Sequence, residues 1–349
     1  MQRNLGLDIV RSIAILMVVC FHGIPHREHL LGIKFGIIAV ELFFGLSGFL
    51  IGQILIRDMK SSVSGNTLVN FWFRRWLRTI PLYYAIVTFC VFFEGRTFSQ
   101  AWPYYLFLQN NVGGLNFLWV TWSLTIEEWF YLFIPLILFI SLRKGFTARG
   151  FFIVLMGIIL AENLARLGMS EFLGRQWSGL NGNPAFRLDA FAYGLLFALF
   201  KSDFKSIYGF FSKTYVFSIV LFVSCLLIGI FSRINQDSHV DDHIWSRVFW
   251  FPSIEICFAA MLPWFESGPV NKISWKPLLF LFKWTSVLTY SAYLIHGHVF
   301  EYFLDQSTWF TWTWVLNYFG AVLLVFVIGF ILYKVIEKPF LSLRDKVRI

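Results

Sequence analysis

The sequence predicts an all-α polytopic membrane helix bundle of about ten transmembrane helices, a single domain over residues 1–349, with both termini cytoplasmic. Three observations lead there. The chain is 58% hydrophobic and only 14% charged, whereas a soluble domain carries about 25% charged residues, so polar side chains are too few to coat a globule in water. Its apolar residues fall in runs near the roughly 20 residues that a helix needs to cross a bilayer core. Its basic residues are unevenly shared between the two sides of those runs. The 43 Phe and 15 Trp residues suit lipid-facing surfaces and interfacial belts.

In chain order, the candidate spans are 5–23, 36–56, 79–93, 119–140, 151–167, 188–200, 214–231, 247–265, 285–304 and 314–336. The first carries Asp8 and Arg11 early and has no small-residue cleavage pattern after Phe21. It is read as a retained helix, not a signal peptide. The third and sixth are short, and their ends are the least defined. No repeat, low-complexity tract or long polar stretch leaves room for a separate soluble domain. With the N-terminus inside, nineteen of the 29 Lys and Arg fall on inner segments and eight on outer ones, while Arg11 and Lys334 lie within spans. That bias sets both termini inside and an even number of helices.

The net charge of +9 does not indicate nucleic acid, because the basic residues lie between apolar segments and form no aromatic-studded polar face. Cys20, Cys90, Cys225 and Cys257 all sit inside apolar runs without paired spacing. They read as small core residues, and no metal is expected.

Chemistry concentrates on the first helix. Arg11 and His22 are eleven residues apart, about 1100° of helical rotation and only some 20° from the same face. Asp8 and Arg11 form an i, i+3 pair able to neutralise both charges. One stripe of an apolar helix thus carries a carboxylate, a guanidinium and an imidazole. Ionisable groups at membrane depth are costly and face a bundle interior or cavity where they act.

The LDIVRSIA stretch followed by His22 resembles the acyltransferase-3 family of membrane acyltransferases, which includes O-acetyltransferases of bacterial surface polysaccharides. The resemblance continues in order along the chain. ELFFGLSGFL (Glu41–Leu50) is similar to the family's second-helix signature, FRRWLRTIPLY (Phe73–Tyr83) to its basic loop entering helix three, and TWSLTIEEWFYLFIP (Thr121–Pro135) to its fourth-helix signature. Phe186–Gly194, YSAYLIH (Tyr290–His296) and Glu337–Pro339 resemble weaker elements. Ile9 stands where a Gly is common. Family members often carry an appended esterase-like domain, and none is expected here. The resemblance implies an acyl-CoA donor, usually acetyl-CoA, and a glycan hydroxyl as acceptor. It implies a multi-pass location in the inner (cytoplasmic) membrane, with His22 as the essential first-helix histidine, Arg11 as its partner, and Arg75 and Arg78 as the R-x-x-R motif.

Acetyl transfer to a sugar hydroxyl needs a base for the hydroxyl proton, and neutral imidazole supplies one near pH 7 without a buried charge. His22 is the expected base, with a covalent acetyl-His relay as the alternative. Arg11 lies roughly 16 Å from His22 along the helix axis. It is therefore expected to contact the donor's arm or to hold helix one through Asp8 or Glu41. Arg75 and Arg78 share a face at the cytoplasmic start of helix three, where guanidinium forks suit phosphates. Glu127 is expected to orient His22 or a sugar hydroxyl. Glu41, His296 and Trp122 are candidate acceptor-binding residues, and a buried His296 bonded to a backbone carbonyl is the alternative for that residue. Ser47 is expected to allow close helix packing, and Glu337 to pair with a cytoplasmic basic residue.

The outer stretch DSHVDDH (Asp237–His243) has metal-ligand residue types but reads as a solvated loop. The segment from Arg166 to Arg187, with WSGLNGN, offers groups for stacking and hydrogen bonding to a sugar. Two rivals stay open. A secondary transporter would use the same buried groups but should show inverted repeats with paired broken helices, and the sequence has none. Acyl transfer to a lipid, peptidoglycan or small molecule keeps the chemistry and changes the acceptor. The oligomeric state is not read from the sequence.

Overall fold

A computed structural model describes residues 3–24, 35–236, 239–304 and 311–346, so Asp237 and Ser238 of the DSHVDDH stretch lie outside the described residues, as do three of the basic residues in the charge count, Arg27, Lys34 and Arg348. The described chain is helical, without strands: α1 (Leu5–His22), α2 (Phe35–Ser61), α3 (Gly65–Phe93), α4 (Phe98–Tyr105), α5 (Trp122–Ser141), α6 (Ala148–Leu173), α7 (Trp177–Asn181), α8 (Ala192–Asp203), α9 (Lys205–Phe211), α10 (Thr214–Gln236), α11 (Trp250–Ser267), α12 (Lys276–Phe303), α13 (Trp312–Leu332) and α14 (Lys338–Lys346). Side chains stop the helices where the sequence supplies them. Asn4, Ser64, Thr147 and Thr311 each accept from a backbone amide three residues on, and Gly174 closes α6 with φ 60°.

Among the described residues nine helical segments are long and apolar enough to cross a membrane, which makes this a multi-pass membrane bundle. Two spans differ from the sequence expectation. The third begins at Gly65, not near residue 79, because Ser64 caps an amphipathic turn that buries Leu68 and Phe71. Arg75 and Arg78 therefore lie well inside α3, about 15 Å or more from its start by helical rise, and not at its mouth. The sixth is not a continuous span. Leu188–Phe191 forms a tight turn, and α8 adds only 12 residues, about 18 Å of helix against a core of about 30 Å.

Irregular backbone at such depth persists only when protein buries it, and residues Asp189 to Leu199 are all buried. The short α8 still completes a passage, since Lys60 at the end of α2 bonds Asp203 at the end of α8 at 2.8 Å. The chain ends then meet. Arg3 reaches the Lys283 carbonyl at 2.8 Å, and Arg74 reaches the Arg344 carbonyl at 3.3 Å. Both ends of the described chain lie at one end of the bundle.

The packed centre is α2, which contacts α1, α8 and α11, while α1 also packs on α12. Gly48 and Gly194 permit the α2–α8 approach. A Cβ on Gly48 would collide with the Phe191 carbonyl, and one on Gly194 with the backbone of Gly45 and Phe49. The close contact thus belongs to Gly48, while its neighbour Ser47 faces a cavity.

The same region holds charges that the sequence assigned to outer loops. Arg187, fully buried, bonds Glu41 at 2.6 Å and Glu255 at 2.7 Å and lies over the Phe251 ring at 3.9 Å. Arg166 forks onto Asp189 at 2.7 and 2.5 Å. Removing one partner of a buried ion pair strands the other, at about 3–5 kcal/mol. Arg187→Met is therefore expected to lower the unfolding midpoint of detergent-solubilised protein sharply. Adding Glu41→Gln and Glu255→Gln should recover most of the loss. An unshifted midpoint in the single variant would show that the triad does not hold the helices.

Candidate active site

The last turn of α1 and the C-terminal third of α12 bring two histidines together. His22 Nδ1 lies 3.0 Å from His296 Nε2, with ring centroids 5.1 Å apart and ring planes within 10° of each other. His296 Nδ1 lies 2.6 Å from the Tyr293 carbonyl, one turn below it on α12. A carbonyl only accepts, so His296 carries its proton on Nδ1 and accepts at Nε2. His22 must then donate from Nδ1, and this hydrogen-bond chain assigns the lone pair of His22 to Nε2. His296 is both the carbonyl-bonded buried histidine and the partner of His22.

Trp119 presents its edge to both rings, at 5.1 Å from His22 and 5.7 Å from His296. Two glycines make room. A Cβ on Gly297 would press on Val120 and Trp119, and one on Gly36 would fall on Nε2 of His22.

Below this pair runs a cavity lined by α1, α2, α3, α5 and α12, among them Arg11, Ser47, Arg75, Arg78, Glu127 and Tyr293. It shares Arg11, Arg75, Arg78 and Glu337 with a wider recess at the end of the bundle where the chain ends lie. That recess adds Arg3, Lys201 and Arg344 beside Asp8 and Glu266, so its wall is basic on balance. The inner cavity ends one helical turn short of the histidines. Its end is Tyr293, whose hydroxyl lies 2.6 Å from Ser123 Oγ and donates to the Val120 carbonyl at 3.0 Å.

The expected site residues therefore separate into groups. Arg11 faces both hollows and lies 3.4 Å from Ser286 Oγ and 3.9 Å from Asp8, which also pairs with Arg3 and accepts from Ser286 at 2.7 Å. Arg75 packs between the Phe71 and Tyr131 rings at 5.8 and 5.7 Å. Glu127 accepts from the Tyr131 hydroxyl and lines the cavity with the three arginines, so it sits with them and not against His22. Glu41 is held by Arg187 and does not line the cavity. Trp122 packs edge-on to Phe44 at 6.3 Å, behind the cavity wall. Glu337 accepts from Ser291 at 3.1 Å and shares the cavity with Arg78. In the outer loop, Asp241 accepts from the Trp177 amide at 2.6 Å and Asp242 pairs with His239 at 2.5 Å.

The family described as Acyltransferase domain matches residues 4–334 of this chain. The chain belongs to that acyltransferase family. The O-acetyltransferase OatA of Staphylococcus aureus (strain NCTC 8325 / PS 47) is 27% identical over 364 residues, which cover 96% of this chain and 56% of the relative. A protein of Acidianus two-tailed virus named "Putative acetyltransferase ORF330" is 32% identical over 216 residues, 59% of this chain and 61% of the relative. The Peptidoglycan O-acetyltransferase OatA of Listeria monocytogenes is 31% identical over 158 residues, 40% of this chain and 24% of the relative. The chain thus spans little more than half the length of the first two. No solved structure matches it.

The acyltransferase match takes in Arg11, His22, Arg75, Arg78, Glu127 and His296, while Glu337 and Arg344 of the basic recess lie beyond it. Three features of this acyltransferase had no signal in the sequence: the His22–His296 contact, the Tyr293–Ser123 closure and the buried Arg187 triad. Each joins residues far apart in the chain.

Proposed function

We propose that this acyltransferase moves an acyl group, most simply acetyl, from acyl-CoA on the cytoplasmic side of the inner membrane to a hydroxyl of a cell-envelope glycan. Lipopolysaccharide O-antigen and exopolysaccharide are the acceptors of first choice. The observation that carries this reading is the line from the basic recess, past Arg11, Arg75 and Arg78, to within one turn of the histidine pair. Its course suits a pantetheine arm directed toward the histidines with its phosphates among the guanidinium groups. The acceptor hydroxyl attacks the thioester carbonyl, its proton passes to Nε2 of His22, and the coenzyme A thiolate leaves and is protonated. An acyl group carried on Nε2 is the covalent variant of the same step. The alignment of Tyr293 O, His296 and His22 supports either, because it keeps that nitrogen unprotonated at the start. Arg11 and Glu127 then act at the donor end.

His296 is in this reading a positioning residue. His296→Ala is expected to lower the catalytic rate by about 10–100-fold, the equivalent of a buried hydrogen bond worth about 1–3 kcal/mol. The KM for acetyl-CoA should stay near wild type, and the pH profile of the rate should shift. A changed KM with an unchanged profile would make His296 a structural residue only.

The name of the Listeria relative favours one alternative acceptor, peptidoglycan. Mass spectrometry of polysaccharide and peptidoglycan fractions from cells with and without the gene distinguishes them by where an acetyl-sized increment disappears. No lost increment in any glycan fraction would contradict the glycan reading.

A further inference from the structure

Outside the line of the cavity, the outer ends of α3 and α12 bring together a thiol, an imidazole and a carboxylate. Cys90 Sγ lies 3.1 Å from His298 Nε2, and Glu94 Oε1 lies 3.8 Å from Nδ1 of the same ring. One donor atom from each of the three residues falls within 4.8 Å of the others. The thiol is fully buried, while the imidazole and carboxylate side chains keep 16% and 8% of their exposure, so a small ion can enter from the rim.

We propose that Cys90, Glu94 and His298 form a zinc site that clamps α3 to α12 and, through Glu301 and Trp119, steadies the wall of the histidine pair. Sulfur, nitrogen and oxygen donors together are the set that zinc takes, in tetrahedral geometry with bonds of about 2.0–2.3 Å, and with three protein donors the fourth position is left to a water. Such bonds place donor atoms about 3.5 Å apart, so the present cluster closes on the ion by a side-chain movement of about 1 Å.

A second, independent feature points the same way. Glu301 Oε2 lies 3.6 Å from His298 Nδ1, longer than a hydrogen bond but on the side of the ring where a carboxylate can hold the proton on Nδ1 and leave Nε2 to a metal. Glu301 in turn accepts from Trp119 Nε1 at 3.1 Å, and Trp119 is the residue packed edge-on to His22 and His296. Charge also balances. The Cys90 thiolate, Glu94 and Glu301 contribute three negative charges, Arg96 bonded to Glu94 at 3.2 Å contributes one positive charge, and a divalent cation supplies the other two. Tyr302, 3.5 Å from Glu94 Oε1, completes the polar surroundings without adding charge at neutral pH. The inference does not depend on the acceptor or the donor of the transfer reaction.

Full-length protein purified in lipid nanodiscs is stripped with a chelator and titrated with Zn²⁺ against a chromophoric competitor. A parallel sample takes Co²⁺ and is read by absorption. Wild type and Cys225→Ser are expected to bind one ion tightly and to show the thiolate-to-cobalt band of a tetrahedral site. Cys90→Ser should lose the band and at least tenfold in affinity at unchanged helical content by circular dichroism. Glu301→Gln should keep the band and weaken zinc by about 10–100-fold. Failure of wild type to compete for Zn²⁺, or the same affinity and the same cobalt band in Cys90→Ser, overturns the proposal and leaves a thiol–imidazole hydrogen bond in its place.

Discussion

His22→Ala is expected to lower acetyl transfer in isolated membranes by about 10²–10⁴-fold, the range a positioned base contributes. The size follows from how much of the site serves one nitrogen. Tyr293 fixes the proton of His296, His296 receives the proton of His22, Trp119 squares both rings, and Gly36 leaves out the Cβ that would occupy the place beside Nε2. Alanine removes the base and leaves the donor cavity, whose lining lies lower in the bundle, intact. Coenzyme A binding by the variant should therefore match wild type, and that separates a missing base from a collapsed fold. His22→Gln fills the space without supplying a base and should be nearly as inactive. Wild-type turnover in either variant would remove His22 from the reaction.

The second large effect belongs to the other end of the cavity. Arg75 and Arg78 line both hollows, and each charge-assisted bond to a phosphate is worth about 1.5–3 kcal/mol. The Arg75→Ala/Arg78→Ala double variant is thus expected to bind coenzyme A about 10²–10⁴-fold more weakly, with the defect in KM for the donor more than in turnover. Arg75→Lys should retain the charge but not the planar fork that fits between Phe71 and Tyr131, giving a partial loss. If these arginines serve only as positive anchors of topology, calorimetry will show unchanged coenzyme A binding in protein that inserts poorly.

The sequence made the local part of this site legible. Arg11 and His22 share a face because a period of 3.6 residues puts them there, and the structure turns that stripe toward the cavity and then the histidine pair. The bundle class was equally plain, because lipid demands long apolar helices whatever their neighbours. What escaped depends on contacts across hundreds of residues. His296 is 274 residues from His22, and Arg187 is 146 from Glu41. A window of sequence contains no term for either. Arg187 and Arg166 fall among the eight outer basic residues of the sequence because charge predicts exposure until a buried partner is known.

The first half of α3 was hidden by the arginines that matter in it. They lower its hydropathy below that of a span, although Leu68 and Phe71 on the same helix are buried. The sixth passage was drawn too regular, since buried irregular backbone looks like an apolar helix when only composition is read. Cys90 reads as a core residue in the sequence, which its burial allows, yet His298 and Glu94 lie beside it.

The central claim is that a donor bound at the end of the bundle holding both chain ends delivers its acyl group to an acceptor at the opposite end, where His22 lies. Sided proteoliposomes test it directly. Radiolabelled acetyl-CoA is supplied only on the face of the chain termini, and a membrane-impermeant oligosaccharide acceptor only on the other. The account predicts labelled acceptor from wild type and none from His22→Ala. Labelling that occurs only when acceptor and acetyl-CoA share one face would contradict it.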